Sequence, residues 1–117
     1  MRRLVLVLAI VTLGLPMVLT TSAPAASTVR TIRIDGRSFA FEPNNITISA
    51  GERVKVVYRS VDVYHDLVVQ GIGQVVKANG GKTRRATLMI AKPGTYKFWC
   101  SVRGHRGGGM KGTITVV

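Results

Sequence analysis

Cys100, His105 and Met110 lie in one short stretch, Cys100-Ser101-Val102-Arg103-Gly104-His105-Arg106-Gly107-Gly108-Gly109-Met110, at the spacing CxxxxHxxxxM. Thiolate and thioether are soft donors and imidazole is borderline, a mixture that favours copper in its two oxidation states over magnesium or calcium. The stretch lacks a second nitrogen donor. His65 is the only other histidine in the chain, and Cys100 is the only cysteine. A single cysteine excludes an internal disulfide framework, a four-cysteine zinc site and a cysteine-held iron-sulfur cluster. What it leaves open is a site that needs one thiolate.

Short strands must position these residues. Ile32 and Ile34 alternate with Thr31, Arg33 and Asp35; Ile46 and Ile48 with Thr47 and Ser49; Val54, Val56 and Tyr58 with Arg53, Lys55 and Arg59. This period of two marks strands with one buried face. Ala50-Gly51-Glu52 and Lys92-Pro93-Gly94 are turn signals, while Leu67 to Val69, Ala86 to Ile90, Tyr96 to Cys100 and Thr113 to Val117 are further β-prone runs. Met89 is expected to pack between Leu88 and Ile90. The Gly- and Lys-rich stretch 71–85 reads as loop with one short strand around Val75-Val76. The pattern predicts an all-β, two-sheet sandwich. Cys100 ends one strand and His65 begins another, so antiparallel pairing brings both to one end of the sandwich. Parity agrees: His65 shares a face with Leu67 and Val69, and Cys100 with Tyr96 and Phe98. His65, Cys100, His105 and Met110 can then converge above the core. Two His, one Cys and a weak axial Met is the ligand composition of a blue-copper electron-transfer centre.

Phe39-Ala40-Phe41-Glu42-Pro43, Ile46 to Glu52, Tyr64-His65-Asp66 and Lys92 to Tyr96, leading to Cys100, His105, Met110 and Gly112, resemble the cupredoxin family, the plastocyanin and azurin group of small blue copper proteins. The resemblance implies a cupredoxin-like Greek-key β-sandwich of about seven to eight strands holding one type 1 copper ion. Carried over by position, His65, Cys100 and His105 would be strong ligands and Met110 the long axial one, with His65 deep and His105 partly exposed at a docking face. Asp66 departs from the pattern, because many relatives carry Asn there. A carboxylate accepts the same backbone bonds but adds negative charge near the metal. The lone cysteine also separates the chain from the binuclear copper domain of cytochrome oxidase subunit II. Trp99 should point away from the face of Phe98 and Cys100, either as packing or, by similarity to the surface aromatic beside the Cys in plastocyanins, as a second electron route. Of the glycines in 104–112, some should serve positive φ and close backbone approach.

The chain opens with Met1-Arg2-Arg3, an apolar run Leu4 to Leu19 broken by Thr12, Gly14 and Pro16, and small residues ending Ala23-Pro24-Ala25. This predicts a signal peptide over 1–25 and a copper-binding domain over 26–117, with an uncleaved anchor as the alternative. Formal charge is +12 for the whole chain; without the two leader arginines, 15 basic and 5 acidic residues leave +10. Seven aromatics and no basic-aromatic run argue against nucleic acid. The expected function is a one-electron carrier, exported to the periplasm or cell exterior, monomeric, with redox-protein partners. Arg103, Arg106 and Lys111 around the ligand loop favour acidic ones. Copper sequestration or delivery is the alternative, weakened by the absence of a Met- or His-rich tail. An enzyme is not expected, since both histidines are already assigned. A polyanion-binding module without metal would function equally well without Cys100.

Overall fold

A computed structural model describes residues 9–25 and 28–117. The positive start, the first apolar residues of the expected leader and Ala26 at the expected cleavage point lie outside the described residues. Residues 9–25 form neither helix nor strand, and Ile10, Val11, Leu13, Leu15, Met17, Val18 and Leu19 are exposed. Among the described residues no helix is long and apolar enough to cross a membrane.

Among the described residues nine strands follow: β1 (Arg30–Arg37), β2 (Ala40–Glu42), β3 (Asn45–Ile48), β4 (Val54–Ser60), β5 (His65–Val69), β6 (Gly73–Ala78), β7 (Thr83–Leu88), β8 (Gly94–Trp99) and β9 (Lys111–Val116). They form a four-stranded sheet, β2-β1-β4-β7, and a five-stranded sheet, β3-β9-β8-β5-β6. Two pairs are parallel, β1 with β4 and β3 with β9; the others are antiparallel. The chain changes sheets between β2 and β3 and again between β3 and β4, through the turn at Ala50-Gly51-Glu52. Gly51 supplies the positive φ of that turn, and Glu52 accepts the Ser49 N–H at 2.8 Å while pairing with Arg30.

The alternating residues of the sequence meet between the sheets. Ile34, Val56, Tyr58 and Leu88 of one sheet face Ile48, Leu67, Val69, Phe98, Ile114 and Val116 of the other in a single buried cluster. Cys100 and Met110 belong to that same cluster, so the sulfur ligand candidates are the end of the core rather than an appendage to it. Three details differ from expectation. The stretch read mainly as loop holds all of β6 and the start of β7. The run Ala86 to Ile90 stops being strand at Leu88. Met89 is 51% exposed instead of packed, because the chain leaves the sheet there and Ile90 turns inward in its place.

Candidate metal centre

β5 and β8 run antiparallel, pairing Val68 with Trp99 and Val69 with Phe98. His65 therefore starts β5 at the end where β8 delivers Cys100, as parity requires. Both residues are fully buried. The 100–110 segment then folds back on itself: Cys100 N–H donates to the Met110 carbonyl at 3.1 Å, Met110 N–H to the His105 carbonyl at 3.0 Å, and His105 N–H to the Val102 carbonyl at 3.0 Å. Gly104 and Gly109 take positive φ, where a side chain would be strained. These bonds close the loop on itself.

The loop brings His105 Nδ1 to 3.1 Å from His65 Nδ1 and 3.7 Å from Cys100 Sγ, and His65 Nδ1 lies 3.8 Å from that sulfur. A circle through these three atoms has a radius of about 2.1 Å, matching typical metal–imidazole bonds of ~2.0–2.1 Å and close to a metal–thiolate bond of ~2.3 Å. The donor set is thus sized for one ion, which His65 Nδ1, His105 Nδ1 and Cys100 Sγ would hold. His65, Cys100 and His105 are the metal-capable cluster among the described residues. Met110 is fully buried and packs its methyl over Gly36, in space that a side chain there would occupy.

Burial pushes the Cys100 thiol above its ordinary value, so metal capture must displace its proton. Asp66, the departure noted in the sequence, is buried but well partnered. Its Oδ1 accepts the Ser101 N–H at 2.7 Å, and its Oδ2 accepts Gln74 Nε2–H at 2.8 Å and the Ser101 hydroxyl. Burial works to raise this carboxyl, but the hydrogen bonds from Ser101 and Gln74 outweigh it and hold the group below the usual carboxylate range. Asp66 thereby ties β5 and β6 to the first residue of the ligand loop.

The two imidazoles are held differently. His65 Nε2 meets Asp62 Oδ1 at 2.6 Å. His105 is only partly buried and is braced edge-on by Phe39, with ring centroids 5.3 Å apart. The sequence reading missed both neighbours. Asp62 sits three residues before His65, a spacing with meaning only once the β4–β5 loop is known to curl back. Phe39 comes from the β1–β2 connection, far away in sequence. Trp99 does face away from Cys100, half-buried, with the Arg106 guanidinium 4.1 Å from its ring centroid. Arg103, Arg106 and Lys111 are exposed around the loop.

A two-sheet sandwich with one thiolate and two imidazoles converging at the end of its core defines a small mononuclear metalloprotein of soft-donor type. The chain belongs to the family of the cupredoxin-like domain, which it matches over residues 7–116. The plastocyanin of Prochlorothrix hollandica is 34% identical over an alignment covering 98% of this chain and 93% of that protein. Among solved structures, auracyanin A of Chloroflexus aurantiacus, described as a blue copper protein, aligns with a TM-score of 0.66 at 22% identity, over 77% of this chain and 100% of that one. The dithionite-reduced auracyanin of Roseiflexus castenholzii aligns with a TM-score of 0.65 at 21% identity, over 78% and 99% of the two chains. These two likenesses concern the fold.

Proposed function

We propose that the domain over residues 26–117 is an exported type 1 copper protein that carries single electrons between redox-protein partners. His65, Cys100 and His105 would hold the ion strongly, and Met110 would be a weak fourth ligand. The observation that carries this reading is the triangle of two Nδ1 atoms and one Sγ at the end of the core, sized for one ion. Copper bound there supplies a one-electron couple between its +1 and +2 states. The chain's own residues keep the rearrangement small. The loop is already closed by its backbone bonds, His65 is anchored inside, and the core excludes water from the Cys100 side. His105 is the partly exposed ligand, and its ring edge beside Phe39 is the point where a partner docks. The basic residues Arg103, Arg106 and Lys111 suit an acidic partner surface.

Residues 1–25 act as a signal peptide in this account, placing the domain in the periplasm or outside the cell. Mass spectrometry of the exported protein checks it: a mature chain starting near Ala26 is the expected result, and an intact Met1 to Ala25 segment would mean an uncleaved anchor. An electron carrier and a copper-delivery protein part company in one experiment. Copper-loaded protein is mixed with a redox partner in the presence of a copper chelator. A carrier is reduced and reoxidised through repeated cycles while keeping its copper; a delivery protein surrenders the copper instead.

A further inference from the structure

Asp62 lies in the β4–β5 loop with its side chain 39% exposed, yet its Oδ1 reaches the fully buried His65 ring at Nε2, 2.6 Å away. Several segments fix this carboxylate. Its Oδ2 accepts the Ser38 N–H at 2.9 Å, and its Oδ1 accepts the Val63 N–H at 2.8 Å. The Ser60 hydroxyl donates to the Val63 carbonyl, and a side chain at Gly80 would collide with the Asp62 carbonyl. A neutral imidazole carries a single N–H. An acceptor at Nε2 claims it and leaves the lone pair on Nδ1, the nitrogen that faces Cys100 Sγ and His105 Nδ1. Among the described residues, no such acceptor is aimed at Nε2 of His105.

We propose that Asp62 is a positioning residue for the metal centre. It locks His65 in the Nε2–H tautomer and, as an anion, strengthens Nδ1 as a donor, so that a bound copper ion is held relatively more tightly in its higher oxidation state. The redox part rests on the copper reading above; the tautomer part rests on the hydrogen bond alone. The two are therefore tested separately on the full chain.

Nitrogen-15 NMR of the copper-free and zinc-loaded protein should show a slowly exchanging proton on His65 Nε2 and none on Nδ1, with Asp62→Ala accelerating that exchange. A proton on Nδ1 in the unsubstituted protein would overturn the proposal. Asp62→Asn keeps an oxygen acceptor but removes the charge. Its copper form should retain the thiolate absorption band and favour Cu(I) over Cu(II) by about tenfold more than the parent, an upward shift of about 59 mV for a one-electron couple. An unchanged or lowered potential in Asp62→Asn would also overturn it, and would reduce Asp62 to a loop anchor. If Asp62→Ala does not fold, the parent tautomer and the Asp62→Asn potential still decide. A parent protein without a thiolate band would defeat the copper reading, and the tautomer would then judge Asp62 by itself.

Discussion

Tyr58 and Asp66 show opposite treatments of a buried polar group. The Tyr58 hydroxyl is buried beside Gly36 and has no hydrogen-bond partner among the described residues, and its burial pushes the phenol's ionisation upward. An unpartnered hydroxyl in the core forfeits its hydration, so Tyr58→Phe should leave stability unchanged or raise it by up to about 1 kcal/mol. Urea denaturation measures this, and a loss of about 2 kcal/mol or more would show that the hydroxyl has a partner. Asp66 is fully partnered and its folded ionisation lies below the ordinary value. Its contribution is therefore complete above the unfolded value of ~3.9 and is lost as pH falls through the lower folded value. Copper-free protein should lose stability below about pH 4, and Asp66→Asn should lose it less steeply. Equal slopes in the two proteins would contradict this role. The ligand candidates were legible because Cys and His are so scarce here that each had few alternative roles. Asp62 and Phe39 were not, because a carboxylate in a loop and an aromatic near a turn are common, and only the folded chain brings them to the imidazoles.

At the level of elements, legibility followed the apolar alternation that each strand carries. β1, β3, β4, β8 and β9 alternate clearly because one face of each is pressed into the core. β2, β3, β6 and β7 are the edge strands of the two sheets; β3 keeps Ile46 and Ile48 on one face, whereas β6 and β7 are dominated by polar and charged positions. Edge strands carry charge and polar residues that blunt pairing with other chains, and Gln74 and Lys77 in β6, with Arg84 and Arg85 in the first half of β7, erased the apolar pattern there. β2 has only Ala40–Glu42, too short for a period to register. A register shift at Leu67/Val68 in β5 further obscures the β5–β6 pairing. The ligand loop is the element on which the site depends most, and its return into β9 passes through Gly112, where a Cβ would meet the Phe98 ring and the Asn44 carbonyl. Gly112→Ala should cost about 1–3 kcal/mol by overpacking. Thermal unfolding tests it; parent-like stability would mean that β8 and β9 yield more easily than their packing indicates.

For the molecule as a whole, the basic excess that dominates the composition is secondary to the site, but it bears on partners. Exposed Arg103, Arg106 and Lys111 share the end of the sandwich where His105 is accessible. Electron transfer with an acidic redox protein should slow as ionic strength rises and the Debye length shrinks from ~30 Å at 0.01 M to ~10 Å at 0.1 M. Stopped-flow rates over that range measure the effect, and a flat dependence would leave these charges as a solvated rim. Cys100 at the end of the core, with both Nδ1 atoms beside it, is suited to copper, although Cys and His ligands also suit zinc. The most direct measurement is the visible absorption and EPR spectrum of the purified, copper-loaded mature domain. An intense blue thiolate-to-copper band that disappears on reduction is the predicted result. A copper-bound protein without that band, or a colourless protein that takes up only zinc, would contradict the account.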